Sequence, residues 1–155
     1  MERFNIHSPQ FEYDAEDPEG YRCGMDRFGP KIGAAQIGAS LYEVPAGQSI
    51  CPYHYEYPEE EWLVVLEGSV VLRHPDGEDE LGPGDTVAFP SGPAGAHKVS
   101  NRGQDTARVM MISTHGSPAV AVYPDSNKLA VFTSTPEDRA RVRRGEMLDY
   151  YDGEV

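Results

Sequence analysis

The chain has 155 residues, enough for one domain with a sizeable core, and its 26 acidic against 13 basic residues give a formal net charge of −13. The acidic excess is spread along the chain, which argues against a grip on phosphate backbones or anionic lipid, so neither nucleic acid nor a membrane is expected as a partner. The amino terminus lacks the order of a secretory signal and no apolar run approaches the roughly 20 residues that span a bilayer; the expectation is a soluble, cytoplasmic protein.

Residues 1–31 carry Pro9, Pro18, Gly20, Gly24, Gly29 and Pro30 among acidic residues and read as an extended arm with at most short strands, draped over the domain. From residue 32 to 133, β-type segments are punctuated by turns. Ala35–Val44 ends at Pro45-Ala46-Gly47, Ser49–Glu56 at Tyr57-Pro58, and Trp62–Leu66 at Glu67-Gly68. Ser69–Arg73 is closed by His74-Pro75-Asp76-Gly77, and Glu78–Leu81 by Gly82-Pro83-Gly84-Asp85. Thr86–Pro90, Ala96–Ser100, Thr106–Ser113, Val120–Tyr123 and Leu129–Phe132 continue the series. Short strands at this spacing predict an all-β sandwich or barrel. Trp62-Leu63-Val64-Val65-Leu66 is apolar at every position, the pattern of a strand covered on both faces. Over 134–155 a short helix and an acidic, tyrosine-containing tail are predicted. Thr135 stands at the cap, Pro136 at the first helical position, Glu137 and Asp138 in the first turn, and Arg141, Arg143 and Arg144 at the far end before Gly145.

The residues that carry chemistry lie between Tyr53 and His97. In a strand, successive side chains alternate faces, so His54 and Glu56 point the same way, and Glu61 rejoins them after a turn at Pro58. His97, reached through the glycine-rich run that begins at Gly84, supplies a fourth donor. Two imidazoles and two carboxylates suit one divalent ion, Mn, Fe, Ni or Zn, with the second carboxylate favouring the harder ions. Glu side chains are long, so Glu59 or Glu60 could stand in for Glu61. No Ser-His-Asp order, phosphate-cradling glycine loop or Cys-x-x-Cys pair is present.

Two motifs together resemble the cupin superfamily, and in particular its small single-domain members. The first runs from Gly47 through His54-Tyr55-Glu56 and Glu61 to Gly68, with six residues between Glu61 and Gly68 as in the family. The second runs Gly84-Asp85-Thr86-Val87-Ala88-Phe89-Pro90-Ser91-Gly92, then His97 and Asn101. The resemblance implies a double-stranded β-helix, or jelly-roll, barrel. It also implies a metal held by His54, Glu61 and His97, with Glu56 standing where the family has a second histidine. Six residues instead of five separate Gly47 from His54, and four instead of two separate Gly92 from His97; the added Pro93-Ala94-Gly95-Ala96 loop is expected at the mouth of the site. Small cupins of this kind are loosely compared with sugar-phosphate isomerases, although fold carries over better than function.

Glu56 has three readings: a ligand, a base beside a three-ligand ion, or the mark of a barrel that has lost its metal and kept a polar network. Glu59, Glu60 and the acidic tail read as solvated charge, Asn101 as a turn residue, and His7, His74 and His115 as surface or cap histidines. Cys23 and Cys51 are read as free thiols, Cys51 on the strand face away from His54. Tyr53, Tyr55 and Tyr57 fall away from the metal face by alternation. The expected function is a metal-dependent small-molecule protein working by isomerisation, epimerisation or ring-opening oxygenation. A non-catalytic binding or sensor module is the alternative. A homodimer is expected, paired through the arm and the final hairpin.

Overall fold

The computed structural model describes residues 1–145 and 147–154; Glu146 and Val155, at either end of the expected tail, lie outside the described residues. Twelve strands form among the described residues, in chain order β1 (Gly24–Arg27), β2 (Ile37–Val44), β3 (Tyr55–Tyr57), β4 (Glu61–Glu67), β5 (Val70–His74), β6 (Gly77–Leu81), β7 (Thr86–Phe89), β8 (Lys98–Ser100), β9 (Ala107–Thr114), β10 (Ala119–Tyr123), β11 (Lys128–Phe132) and β12 (Ala140–Arg143). Only single turns of 3₁₀ helix interrupt them, and no helix among the described residues is long and apolar enough to cross a membrane. All pairings are antiparallel. One sheet has the order β1-β2-β9-β4-β7; the others run β12-β11-β10-β3 and β6-β5-β8. The all-β expectation therefore holds.

The five-stranded sheet forms one wall. The two smaller sheets face it and are stitched together by a ladder outside the named strands. The Ile50 N–H donates to Val99 O, the Asn101 N–H to Gln48 O, and His54 and His97 exchange both backbone hydrogen bonds at 3.1 and 2.8 Å. Alternation turns Leu63 and Val65 of β4 and Ala107 and Val109 of β9 inward, where they meet Val70, Leu72, Phe89 and Val99 in the main core. On the outer face, Leu41, Ala39, Phe28 and Leu66 are covered by Phe4, Ile6 and Phe11, with the Phe4 and Phe28 rings stacked at 4.8 Å. The first residues of the chain thus lie over this face, and Gly24–Arg27 form the edge strand β1.

Two expectations are corrected. The arm covers only part of β4: Leu66 is under it, whereas Trp62 is 47% exposed, because the cover stops over β2 and the far end of β4. No carboxy-terminal helix forms. Pro136–Asp138 makes a single 3₁₀ turn with no side-chain cap at Thr135, and Ala140–Arg143 then leaves as β12, pairing Ala140 with Val131 and Val142 with Leu129. Local helix signals were outweighed because Ala140 and Val142 offer too narrow an apolar stripe to anchor a helix, while the open edge of β11 offers a full row of backbone partners.

Candidate metal centre

His54 and His97 stand directly across a hydrogen-bonded antiparallel pair, which places their side chains side by side on one face. Their rings are 4.7 Å apart. Each is fixed by its Nδ1: that of His97 donates to Gly95 O at 2.9 Å and that of His54 to Pro52 O at 3.0 Å. Donation from Nδ1 selects the tautomer whose Nε2 carries a bare lone pair. Both Nε2 atoms face Glu61, which enters from the first residue of β4; Glu61 Oε2 lies 3.5 Å from His97 Nε2 and 4.0 Å from His54 Nε2. The ligand atoms of His54, Glu61 and His97 all lie within 4.8 Å of one another. Glu56, on β3, is not part of that triplet, although its Oε1 is 3.7 Å from His54 Nε2.

These residues fit a metal ion. His97 Nε2 is fully buried and has no hydrogen-bond partner, an unmet lone pair that a cation satisfies. Donors on one ion stand about 3 to 3.5 Å apart, so the triplet is near ligand spacing already. Burial, aided by the charge of His54, lowers His97 to about 4, and burial lowers His54 too, so both imidazoles are neutral and ready to ligate near pH 7. Burial, with the charge of Glu59, raises Glu61 to about 7. Glu56 is held well above the usual carboxylate range by burial, a hydrogen bond with Glu59 and the charges of Glu61 and Glu59. Carboxyls kept protonated in this way wait for a positive charge or act as proton carriers.

Aromatic rings hold the histidines in place. Phe89 stacks on His97 at 3.7 Å, and Tyr123 on His54 at 5.8 Å. A cleft of about 400 Å³ opens beside the triplet, lined by Glu56, Glu59 and Glu61 and, further out, by Tyr42, Ser40, Met111, Ser113, His115 and Arg27. Of Glu59, Glu60 and Glu61, it is Glu61 that stands with His54 and His97. Glu60 points away and accepts from the Trp62 indole at 2.9 Å. Glu59, read as solvated, instead accepts the Gly116 N–H at 3.0 Å and walls the cleft, because the turn at Pro58 folds it back over the site. His115 is exposed, as read from the sequence, and also stands at the rim of the cleft, its backbone N–H tied to Gln36 O at the foot of β2. Cys51 does not face away from His54: its Sγ is 3.5 Å from His54 Nδ1, because residues 51–54 turn instead of continuing as strand. The Pro93–Gly95 turn stands behind His97 and contributes no wall to the cleft. Asn101 is a clamp, as expected of a turn residue, bonding Val44 O, Asp105 O and the Gly103 N–H. Tyr53, Tyr55 and Tyr57 stay out of the cleft. The site tyrosines are Tyr42 and Tyr123, which only the pairing of distant strands brings in.

Two histidines and a glutamate converging inside a small antiparallel barrel form a site that could hold a metal ion. Residues 40–113, just under half of the chain and containing all four expected donors, match the cupin domain model, and the chain carries a cupin domain. Among solved structures it is similar to a sugar phosphate isomerase of the cupin superfamily from Silicibacter pomeroyi (25% identity, 96% of this chain and 97% of the other, TM-score 0.81). It is also similar to an Acidithiobacillus ferrooxidans protein with a provisional sugar phosphate isomerase assignment (26% identity, 84% and 83%, TM-score 0.75). The polyketide cyclase RemF from Streptomyces resistomycificus is more distant (25% identity, 74% and 79%, TM-score 0.61). No curated protein matches the chain.

Proposed function

We propose that the protein is a metal-dependent isomerase or epimerase of small hydroxy-carbonyl compounds, with His54, Glu61 and His97 holding one divalent ion, Mn, Fe, Ni or Zn. The observation that carries this reading is the buried, partnerless Nε2 of His97 facing Glu61, with a second, proton-holding carboxyl, Glu56, at the same cleft. The similarity to two structures bearing sugar phosphate isomerase assignments supports it. When bound, the metal supplies Lewis-acid polarisation of a carbonyl or enolate oxygen.

The chain's own residues do the rest. Glu56 takes the proton from the carbon next to the carbonyl and returns it to the neighbouring carbon or the opposite face; a base whose ordinary value is moved toward neutrality suits this task. Glu59, hydrogen-bonded to Glu56, holds that carboxyl in place. Phe89 and Tyr123 exclude water from the histidines.

The test is exchange of the α-proton for deuterium, run in heavy water on a panel of aldose and ketose phosphates with protein loaded with each of the four metals. Wild-type protein exchanges at least one member. Glu56→Gln keeps its metal and loses about 10²- to 10⁴-fold in exchange rate, while His97→Ala loses metal and exchange together. Metal retention with no exchange anywhere in the panel would move the protein to the non-catalytic binding class.

A further inference from the structure

The far end of the same cleft is built by β1, β2 and the turn at Pro30–Ile32, and it has the opposite electrostatic character. On β1, alternation sends Asp26 and Arg27 to opposite faces. Asp26 turns to the arm side, where its carboxylate accepts from Lys31 Nζ at 2.5 Å and from the Gln10 N–H at 2.7 Å. Arg27 is left on the cleft face. Three other arginines have carboxylate partners: Arg73 forks onto Asp125, Arg102 onto Glu78 and Arg108 bonds Glu43. The exposed side chain of Arg27 makes no ion pair and no hydrogen bond with the described residues, in a chain with twice as many acids as bases. A guanidinium is a planar fork of donors matched to phosphate or carboxylate oxygens, and this one faces a cleft whose carboxylates stand at the opposite end and do not pair with it.

The surroundings of Arg27 are those of an anion's other partners. Ser40 lies directly opposite it in the β1–β2 register, and Ser113 and His115 line the same cleft. Gly38 has no side chain to fill the floor; a Cβ there would meet Ser113 Oγ at 2.6 Å. The carboxylates lie across the sheet. From Arg27 on β1 to Glu61 on β4 the order β1-β2-β9-β4 interposes three strand spacings, about 14 Å between backbones. Tyr42 stands between the two ends: burial raises its phenol to about 12, with Glu61 adding to the rise and Arg27 opposing it.

We infer that Arg27, with Ser40, Ser113 and His115, forms an anion subsite that takes the phosphate of a phosphorylated hydroxy-carbonyl substrate while its carbonyl end lies against His54, Glu61 and His97. The assignment of the other end rests on the isomerase reading; the anion subsite rests on Arg27 alone. The subsite separates substrate ends by charge: phosphate toward the free guanidinium, carbonyl toward the metal donors.

Calorimetric titration with ribose 5-phosphate and with ribose tests it, on wild type, Arg27→Ala and Arg27→Lys, each with metal content measured. Wild type prefers the phosphorylated sugar by at least tenfold, and inorganic phosphate competes with it. Arg27→Ala removes that preference while leaving metal content and ribose binding unchanged, and Arg27→Lys, which keeps the charge and loses the fork, retains part of it. A preference undiminished in Arg27→Ala, or absent from wild type, overturns the subsite. A preference that Arg27→Ala removes in a protein showing no α-proton exchange keeps the subsite and overturns only the isomerase reading.

Discussion

Protonation decides what the four candidate donors can do. Glu61 is raised from 4.5 to about 7 and Glu56 to about 8, so in the metal-free protein near pH 7 Glu61 is about half protonated and Glu56 mostly protonated, whereas His97, lowered to about 4, is already neutral. A metal must displace the carboxyl protons to bind, so affinity rises with pH. Below about pH 7 a plot of log affinity against pH has slope one if Glu61 alone ionises and slope two if Glu56 also ligates; isothermal titration at several pH values reads the number directly, and a flat plot would refute the assignment. The linkage sign for stability follows from the same shifts. A carboxyl whose folded value is raised contributes stability in full below the unfolded value of 4.5, and that contribution is lost as pH rises through about 7. The metal-free protein therefore weakens between those limits, and added metal restores most at the alkaline end.

At the level of elements, the Pro93–Gly95 turn controls His97. Its Gly95 carbonyl fixes the ring through Nδ1, and Gly95 is packed so closely that a Cβ would lie 1.9 Å from Pro90 O, a backbone atom that cannot swing aside. Gly95→Ala is expected to cost about 1–3 kcal/mol in denaturant unfolding and, by tilting His97, at least tenfold in metal affinity. Gly82→Ala, where a Cβ meets nothing within 4 Å, is the control that leaves metal affinity unchanged. Strand alternation works in the same way at Arg27 and Asp26, sending one to the cleft and the other to the arm. The edge at β11 shows the opposite lesson: a run with good helix-start chemistry becomes a turn and a strand because pairing satisfies more backbone than an isolated helical turn would.

Across the whole molecule, the barrel presents a cleft with carboxyls at one end and a free guanidinium at the other, within a chain that is otherwise strongly acidic. The homodimer expected from the sequence belongs to the proposal as well, and light scattering at micromolar concentration checks it: a mass near twice 17.1 kDa is expected, and a monomer would remove the dimer. Much of this was readable in the residues. Alternation and turn chemistry between residues 35 and 132 specify strands wherever they occur, because a pleated strand and a glycine or proline turn are local consequences of side-chain size and backbone freedom. The spacing of His54, Glu56, Glu61 and His97 pointed to four candidate donors, of which His54, Glu61 and His97 come together in the structure. What lay beyond the sequence depends on which strands become neighbours. Residues far apart in the chain meet only once the sheet order is set: Tyr42 and Arg27 across from Glu61, Tyr123 on His54, Phe89 on His97. The fate of residues 136–143 was decided by an open strand edge that no local window contains. Sequence alone determined the strand-rich fold and pointed to the candidate donors; tertiary structure alone decided how the cleft is walled, which carboxylate stands with the two histidines and that Arg27 faces the cleft without a partner, because each depends on which strands become neighbours.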